Sequence, residues 1–88
     1  MYKIYNTKKA RKDYELLKQQ RALAKKAFQL VEIIKKNPYQ NPPPYEKLKG
    51  NMADACSRRI NIEHRLVYTV DEKAKEIIVH SLWSHYEF

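Results

Sequence analysis

The spacing of apolar residues changes once along this chain, and that change constrains its fold more than any other feature. Before the proline run Pro42-Pro43-Pro44, apolar side chains recur every three or four residues, which predicts amphipathic helices. After Gly50, the only glycine, they alternate with polar residues, which predicts strands. A helical part followed by a sheet is typical of α+β proteins, so we expect that class.

The length and composition predict one small domain over residues 1–88. The chain has 88 residues, of which 43% are apolar, so it can fold by itself around one modest core. Cys56 is the only cysteine, which excludes an internal disulfide framework and a multi-thiolate zinc site. The sequence lacks the apolar core of a signal peptide and any stretch of roughly 18 apolar residues. We therefore expect a cytoplasmic protein with no membrane partner.

The first half predicts a short strand and two helices. Lys3-Ile4-Tyr5 reads as a strand, and Asn6 or Thr7 is a candidate N-cap for the first helix. The apolar stripes of the two helices are Ala10, Tyr14 and Leu17, then Leu23, Ala27, Leu30, Val31 and Ile34. A joint at Gln19-Gln20 would make the helices an antiparallel pair. The second helix should end at Asn37, because Pro38 disfavours the helical conformation in the residue before it.

The second half predicts an antiparallel meander of three strands. Its turns fall at Glu63-His64 and at residues 71–75, and the last strand runs from Glu76 to about His85. Alternation places one set of apolar residues against the helices, namely Ile60, Ile62, Leu66, Tyr68 and Val70. It leaves the opposite face to Ser57, Arg59, Asn61 and Arg65. The predicted order is thus β-α-α followed by the meander, with both helices on one face of the sheet.

The positive charge is concentrated in the first half of the chain. Residues 1–50 carry 13 basic and 4 acidic residues, a net charge of +9, whereas residues 51–88 carry 5 and 6, a net charge of −1. Such a basic surface attracts phosphate backbones without regard to sequence. The residues expected to face RNA are Lys8, Lys9, Arg11, Lys12, Lys25 and Lys26. Composition alone favours the alternative that these side chains only solvate helix surfaces.

A carboxylate, two arginines and a histidine together could split RNA. Glu46 could take the proton of a 2′-hydroxyl, Arg59 and Arg65 could hold the phosphate, and His85 could protonate the departing 5′-oxygen. Each has an ordinary alternative as a solvated surface residue or an incidental histidine. No metal-ligand spacing and no glycine-rich phosphate loop is present. A Cys56 nucleophile is a further alternative, which no local signature supports.

One long motif resembles a known family. The run Ser57-Arg58-Arg59-Ile60 is followed by Glu63-His64-Arg65-Leu66-Val67-Tyr68, with Glu46-Lys47-Leu48-Lys49 upstream and His85-Tyr86 at the end. This pattern closely resembles the Txe/YoeB toxins of the RelE superfamily. The resemblance implies the RelE-like microbial RNase fold and a bacterial type II toxin–antitoxin module. It also implies a ribosome-dependent, metal-independent endoribonuclease that cuts mRNA in the decoding site.

The resemblance assigns roles to individual residues. It places the general base on Glu46, the phosphate-stabilising arginine on Arg65, and the acid with its tyrosine neighbour on His85 and Tyr86. The supporting basic positions fall on Lys49 and Arg59. No cofactor or metal is implied. The implied partners are ribosomal RNA, mRNA and an inhibitory antitoxin, with operator DNA bound only through the antitoxin complex and a homodimer as a further assembly.

Two other functions stay open at this point. One is a non-catalytic toxin on the same scaffold, similar to the ParE branch, which poisons DNA gyrase and generally lacks the Glu, Arg, His and Tyr set. The other is a plain RNA-binding module that uses the basic helices and needs neither Glu46 nor His85.

Overall fold

The computed structural model describes residues 1–48 and 55–83, and these form an α+β arrangement as predicted. The elements in chain order are β1 (Lys3–Asn6), α1 (Lys8–Leu17), α2 (Arg21–Lys36), β2 (Glu46–Lys47), β3 (Ala55–Arg59), β4 (Arg65–Asp71) and β5 (Glu76–Ser81). None of the helices in this part of the chain is long and apolar enough to cross a membrane.

The five strands form one mixed sheet in the order β1-β5-β4-β3-β2. β3, β4 and β5 are antiparallel neighbours, which confirms the predicted meander. β1 pairs in parallel with β5, so the first strand of the chain lies beside the last. β2 pairs antiparallel with β3 through only two residues, and the sequence did not predict it because two residues show no alternation.

The helices begin and end where the sequence predicts. The Thr7 side chain caps α1 by accepting a hydrogen bond from the backbone N–H of Ala10 at 3.1 Å. α2 ends at Lys36, one residue before Asn37 and two before Pro38, in agreement with the predicted stop. All five predicted apolar positions of α2 are buried, and three residues, 18–20, connect the two helices.

The core lies between the helices and one face of the sheet. The sheet contributes Cys56, Leu66, Tyr68, Ile77 and Val79, which pack against the buried stripes of α1 and α2. Burial of these side chains removes apolar surface from water, which is the main stabilising term in a chain of this size. The predicted one-sided packing of the helices is thereby confirmed.

Two predictions about strand ends are wrong. Ile62 is 88% exposed, because β3 ends at Arg59 and residues 60–64 form the turn, where alternation no longer applies. The last strand ends at Ser81 instead of about His85. The reason is that the backbone N–H groups of Leu82 and Trp83 donate to the Asp13 carboxylate, at 2.9 and 3.2 Å, instead of to a neighbouring strand.

Candidate active site

Glu46 and two arginines meet on the face of the sheet opposite the helices. The register pairs Glu46 with Ser57 across β2 and β3, and Arg59 with Arg65 across β3 and β4. Residues paired across strands share a face, and so do residues two apart along a strand. All four side chains therefore belong to the same face. The short strand β2 is what brings Glu46 to the arginines.

The Arg65 side chain is held from two sides. Its Nε donates to Ser57 Oγ at 2.6 Å, and its Nη2 lies 3.2 Å from Glu46 Oε2. The Arg65 side chain is 14% exposed, whereas that of Glu46 is 72% exposed. An ion pair with one partner this exposed contributes at most about 1 kcal/mol to stability. The ion pair thus contributes little to stability, but it places a carboxylate directly beside a guanidinium.

Arg59 completes a positively charged hollow. It lies directly across from Arg65 and is exposed, and within the described residues its side chain forms no hydrogen bond or ion pair. Like charges at directly opposed positions destabilise a strand pair, so this arrangement favours an anion between them. The hollow has a volume of about 240 Å³ and is lined by Pro44, Tyr45, Glu46, Ser57, Arg59 and Arg65. The prediction that Arg59 and Arg65 share one face of the sheet is confirmed, but only Arg59 is exposed, since the Arg65 side chain is 14% exposed.

The basic residues of the helices lie elsewhere. All six predicted RNA-facing residues are exposed on α1 and α2, and none lines the arginine hollow: Lys8, Lys9, Arg11, Lys12, Lys25 and Lys26. Lys26 lines a hollow of about 540 Å³ between the start of α2 and the β3–β4 turn, and Lys25 lines one of about 850 Å³ along α2. These hollows are larger than the arginine hollow, but neither places a carboxylate against an arginine pair.

Lys9 has a structural contact that its sequence position does not reveal. Its Nζ lies 2.9 Å from Asp13 Oδ2 and 3.2 Å from Ser81 Oγ. Part of the Lys9 charge is therefore matched within the fold, while its side chain is 54% exposed, so its role in facing RNA stays a prediction.

The end of β5 lies beside the beginning of β4, where Arg65 is located, because the two strands are antiparallel and Ser81 pairs with Val67. Asp13 is buried and holds the backbone of Leu82 and Trp83. The Trp83 ring stacks on His64, with ring centroids 4.2 Å apart, and His64 directly precedes Arg65. His64 lies in the turn as predicted, but it is buried.

Three predicted site residues lie outside the described part of the chain: Lys49, His85 and Tyr86.

Other reactive groups do not join the site. Cys56 is buried in the core, and this burial raises the pKa of its thiol, which argues against the nucleophile alternative. His80 Nε2 lies 2.9 Å from Thr69 Oγ1, and burial lowers the pKa of its imidazole. Across residues 1–48 and 55–83, no cluster of three His, Cys, Asp or Glu side chains could hold a metal ion.

The structure adds three contributors that the sequence prediction did not single out. Ser57 orients Arg65, Asp13 holds the segment after β5, and Arg58 is buried on the helix side of β3. Two of them leave a signal in the sequence. Asp13 occupies a position of the apolar stripe between Ala10 and Leu17, and Arg58 alternates with the outward-facing residues of β3.

Comparison with known proteins decides the family. The model of a family described as the YoeB-like toxin of bacterial type II toxin-antitoxin systems matches residues 6–86. The chain belongs to this family. YoeB from Synechocystis sp. is 37% identical to it over 65 residues, which are 74% of this chain and 73% of that relative. The resemblance to Txe/YoeB toxins of the RelE superfamily is thus confirmed.

Solved structures of YoeB proteins have the same fold. A YoeB/ParE toxin from Agrobacterium tumefaciens superposes with a TM-score of 0.88 at 33% identity, covering 96% of this chain and 99% of that one. YoeB from Staphylococcus aureus, solved in a complex with YefM, gives a TM-score of 0.82 at 38% identity, covering 98% and 99%. A YoeB dimer from Staphylococcus aureus has also been solved, with a TM-score of 0.81 at 37% identity, covering 97% and 98%. The predicted RelE-like fold is confirmed.

Proposed function

We propose that the chain is a ribosome-dependent, metal-independent endoribonuclease toxin that cleaves translated mRNA and is inhibited by a cognate antitoxin. The observation that carries this proposal is the contact of Glu46 with Arg65 at 3.2 Å on the face of the sheet opposite the helices, with Arg59 opposite Arg65. A proton acceptor next to a pair of phosphate-binding side chains supplies most of what attack by a 2′-hydroxyl requires.

Glu46 is the general base in this mechanism. Its carboxylate takes the proton of the 2′-hydroxyl, and the resulting oxygen attacks the neighbouring phosphorus atom. The 72% exposure of the Glu46 side chain leaves its oxygens accessible to an RNA strand. Positioned acid–base groups typically accelerate such a step by about 10²–10⁴-fold.

Arg65 and Arg59 stabilise the charge that builds on the phosphoryl oxygens. Arg65 Nε donates to Ser57 Oγ, which fixes the orientation of the guanidinium. The outer nitrogens of Arg65 therefore need little reorganisation when charge develops on the phosphate. A phosphate that binds Arg65 competes with Glu46 for the same guanidinium. The ion pair is therefore the resting state, and substrate binding releases the Glu46 carboxylate for proton transfer.

His85 gives its proton to the departing 5′-oxygen, with Tyr86 beside it. These assignments follow from the family motif, and the contacts of Trp83 next to the Arg65 end of β4 support them. The attacking oxygen belongs to the substrate, so the products carry a 5′-hydroxyl and a 2′,3′-cyclic phosphate. The two arginines meet the transition-state charge, and no step needs a metal ion.

The partners follow from the charge distribution and the relatives. The exposed basic residues of α1 and α2 would attach the chain to ribosomal RNA. Because YoeB from Staphylococcus aureus has been solved with YefM, we expect an antitoxin here as well. Acidic side chains of that antitoxin would neutralise Arg59 and Arg65 and exclude mRNA. A homodimer is the second assembly to test.

The test is expression of the chain without antitoxin, followed by mapping of transcript ends by primer extension. Growth should stop, and cleavage should occur only in transcripts that are being translated. Glu46→Gln should reduce cleavage, whereas Glu15→Gln, which removes an exposed carboxylate on α1, should not. Arrested growth without cleaved transcripts would overturn the nuclease, and DNA damage in its place would favour the gyrase poison.

A further inference from the structure

A charged residue, Arg58, is buried among the core residues of the sheet. It is 1% exposed, and its guanidinium contacts no carboxylate of residues 1–48 or 55–83. A buried charge is costly unless hydrogen bonds satisfy it, and apolar residues of similar size often serve stability as well or better. Stability alone therefore does not account for an arginine at this position.

The bonds of Arg58 all run to one tyrosine and one loop. Nε donates to Tyr68 Oη at 3.0 Å, and Nη1 donates to the Pro43 carbonyl at 2.6 Å. Nη2 donates to the carbonyls of Pro38 and Gln40 at 3.1 and 2.9 Å. The Tyr68 hydroxyl in turn donates to the Pro38 carbonyl at 2.6 Å. One side chain thus binds the beginning and the middle of the loop formed by residues 38–45.

The end of this loop is also in contact with Arg58. The guanidinium carbon lies 4.9 Å from the centroid of the Tyr45 ring, within cation–π distance. Tyr45 directly precedes Glu46, and Pro43 lies three positions before Glu46. The contacts of Arg58 therefore reach to the residue next to the candidate base.

Glu46 depends on such support because β2 is very short. The strand pairs with β3 through Glu46–Ser57 and Lys47–Cys56, and the next residue adds one bond from the Leu48 N–H to the Ala55 carbonyl at 2.9 Å. The Glu46 carboxylate itself contacts Arg65 at 3.2 Å. Ser57 and Arg58 are neighbours on β3 and face opposite sides of the sheet. Ser57 holds Arg65 on one side, while Arg58 holds the segment that carries Glu46 on the other.

We propose that Arg58 is a positioning residue, which holds the loop of residues 38–45 so that Glu46 stands against Arg65. This inference rests on the proposed function of Glu46 as general base. A displacement of about 1 Å at a reacting group can cost about 100-fold in rate, so a loosened loop should lower kcat.

The first test replaces Arg58 by lysine. Lysine keeps the positive charge but cannot reproduce the planar fork that reaches Tyr68, Pro43 and Gln40 together. Arg58→Lys should lower kcat by between about 10- and 100-fold and leave KM for the ribosome–mRNA complex nearly unchanged. Tyr68→Phe is the matched control, because it removes the two hydrogen bonds of the Tyr68 hydroxyl, to Arg58 Nε and to the Pro38 carbonyl. The contacts of Arg58 to Pro43 and Tyr45 stay in place. Tyr68→Phe should lower kcat by less than about threefold. All rates are measured at a temperature at which circular dichroism shows that the variants are folded.

A double-variant cycle with Glu46→Gln separates positioning from general destabilisation. If Arg58 acts through Glu46, then Arg58→Lys should change kcat by less than about twofold once Glu46 is glutamine. Tyr45→Leu, which removes the ring against the guanidinium and keeps its hydrogen bonds, provides a milder second variant. It should show the same lack of additivity.

Amide hydrogen exchange provides a readout that needs no nuclease activity. The amides of residues 45–48 should exchange faster in Arg58→Lys than in the unaltered chain. An unaltered chain that cleaves no translated mRNA overturns the proposed function itself. An active chain in which the effects of the Arg58 and Glu46 variants on kcat multiply overturns the role of Arg58 alone. Unchanged exchange of the amides of residues 45–48 in Arg58→Lys does the same.

Discussion

Replacement of Asp13 by alanine should destabilise the fold strongly, because this side chain of α1 holds the backbone that follows β5. Its Oδ2 accepts the N–H groups of Leu82 and Trp83 at 2.9 and 3.2 Å. It also receives Lys9 Nζ at 2.9 Å. Alanine would leave two backbone donors without a partner where Leu82 is fully buried and Trp83 half-buried.

The size of the effect follows from these contacts. An unpaired buried donor costs about 1–3 kcal/mol, so two of them amount to about 2–6 kcal/mol. That is a large part of the about 5–15 kcal/mol by which small proteins are stable. The contact with Lys9 adds little, because the Lys9 side chain is 54% exposed and a pair of this kind contributes about 1 kcal/mol or less.

Urea unfolding followed by circular dichroism measures the effect. At an m-value of about 1 kcal/mol/M, a loss of 2 kcal/mol moves the midpoint by about 2 M. Asp13→Ala should shift the midpoint by at least that much, and Lys9→Met, which leaves the backbone contacts in place, by less than about 1 M. Equal shifts for the two variants, or a shift below about 0.5 M for Asp13→Ala, would refute this account of the segment after β5.

Three further outcomes are expected. Burial lowers the pKa of His80 from its ordinary 6.5, so protons bind preferentially to the unfolded chain. The free energy of unfolding should therefore fall as the pH drops below 6.5. His80→Gln should reduce the dependence of this free energy on pH in that range. An unchanged slope in this variant would contradict the assignment. Arg65→Ala should lower kcat more than ribosome affinity, since its main contact forms in the transition state; an equal loss in both would place Arg65 in ground-state binding. Neutralising Lys8 and Lys12 should reduce the salt dependence of ribosome binding without changing single-turnover cleavage, and an unaltered salt slope would leave them as solvating charges.

The sequence predicts the elements whose signal is periodic. The stripes of α1 and α2 are repeated over several turns, so the burial of most of their positions follows from spacing. In β4, alternation predicts the burial of Leu66 and Tyr68 but not that of Val67, which lies on the opposite face and is also buried. The Thr7 cap follows from local chemistry of the same kind. Periodicity fails at the ends, as at Ile62 and after Ser81, because a strand ends where its backbone groups find other partners.

The candidate site is only partly visible in the sequence. Alternation predicts that Arg59 and Arg65 share a face, but it does not place Glu46 beside them. That placement depends on β2, which two residues and its register with β3 define. For Arg58 and Asp13 the sequence shows only that a charged residue occupies a core-facing position. Most of their partners are backbone groups, up to 20 residues away for Arg58 and 70 for Asp13, and no pattern of side chains records such contacts.

The chemical nature of the cleaved ends tests the proposed function most directly. A translating extract supplied with a single mRNA and the purified chain gives fragments whose ends can be identified by kinase labelling and by phosphatase treatment. Attack by the substrate's own 2′-hydroxyl, with Glu46 as base, predicts that the downstream fragment carries a 5′-hydroxyl and the upstream fragment a 2′,3′-cyclic phosphate or its 3′-phosphate product. Fragments with 5′-phosphate ends would contradict it, since water would then be the nucleophile.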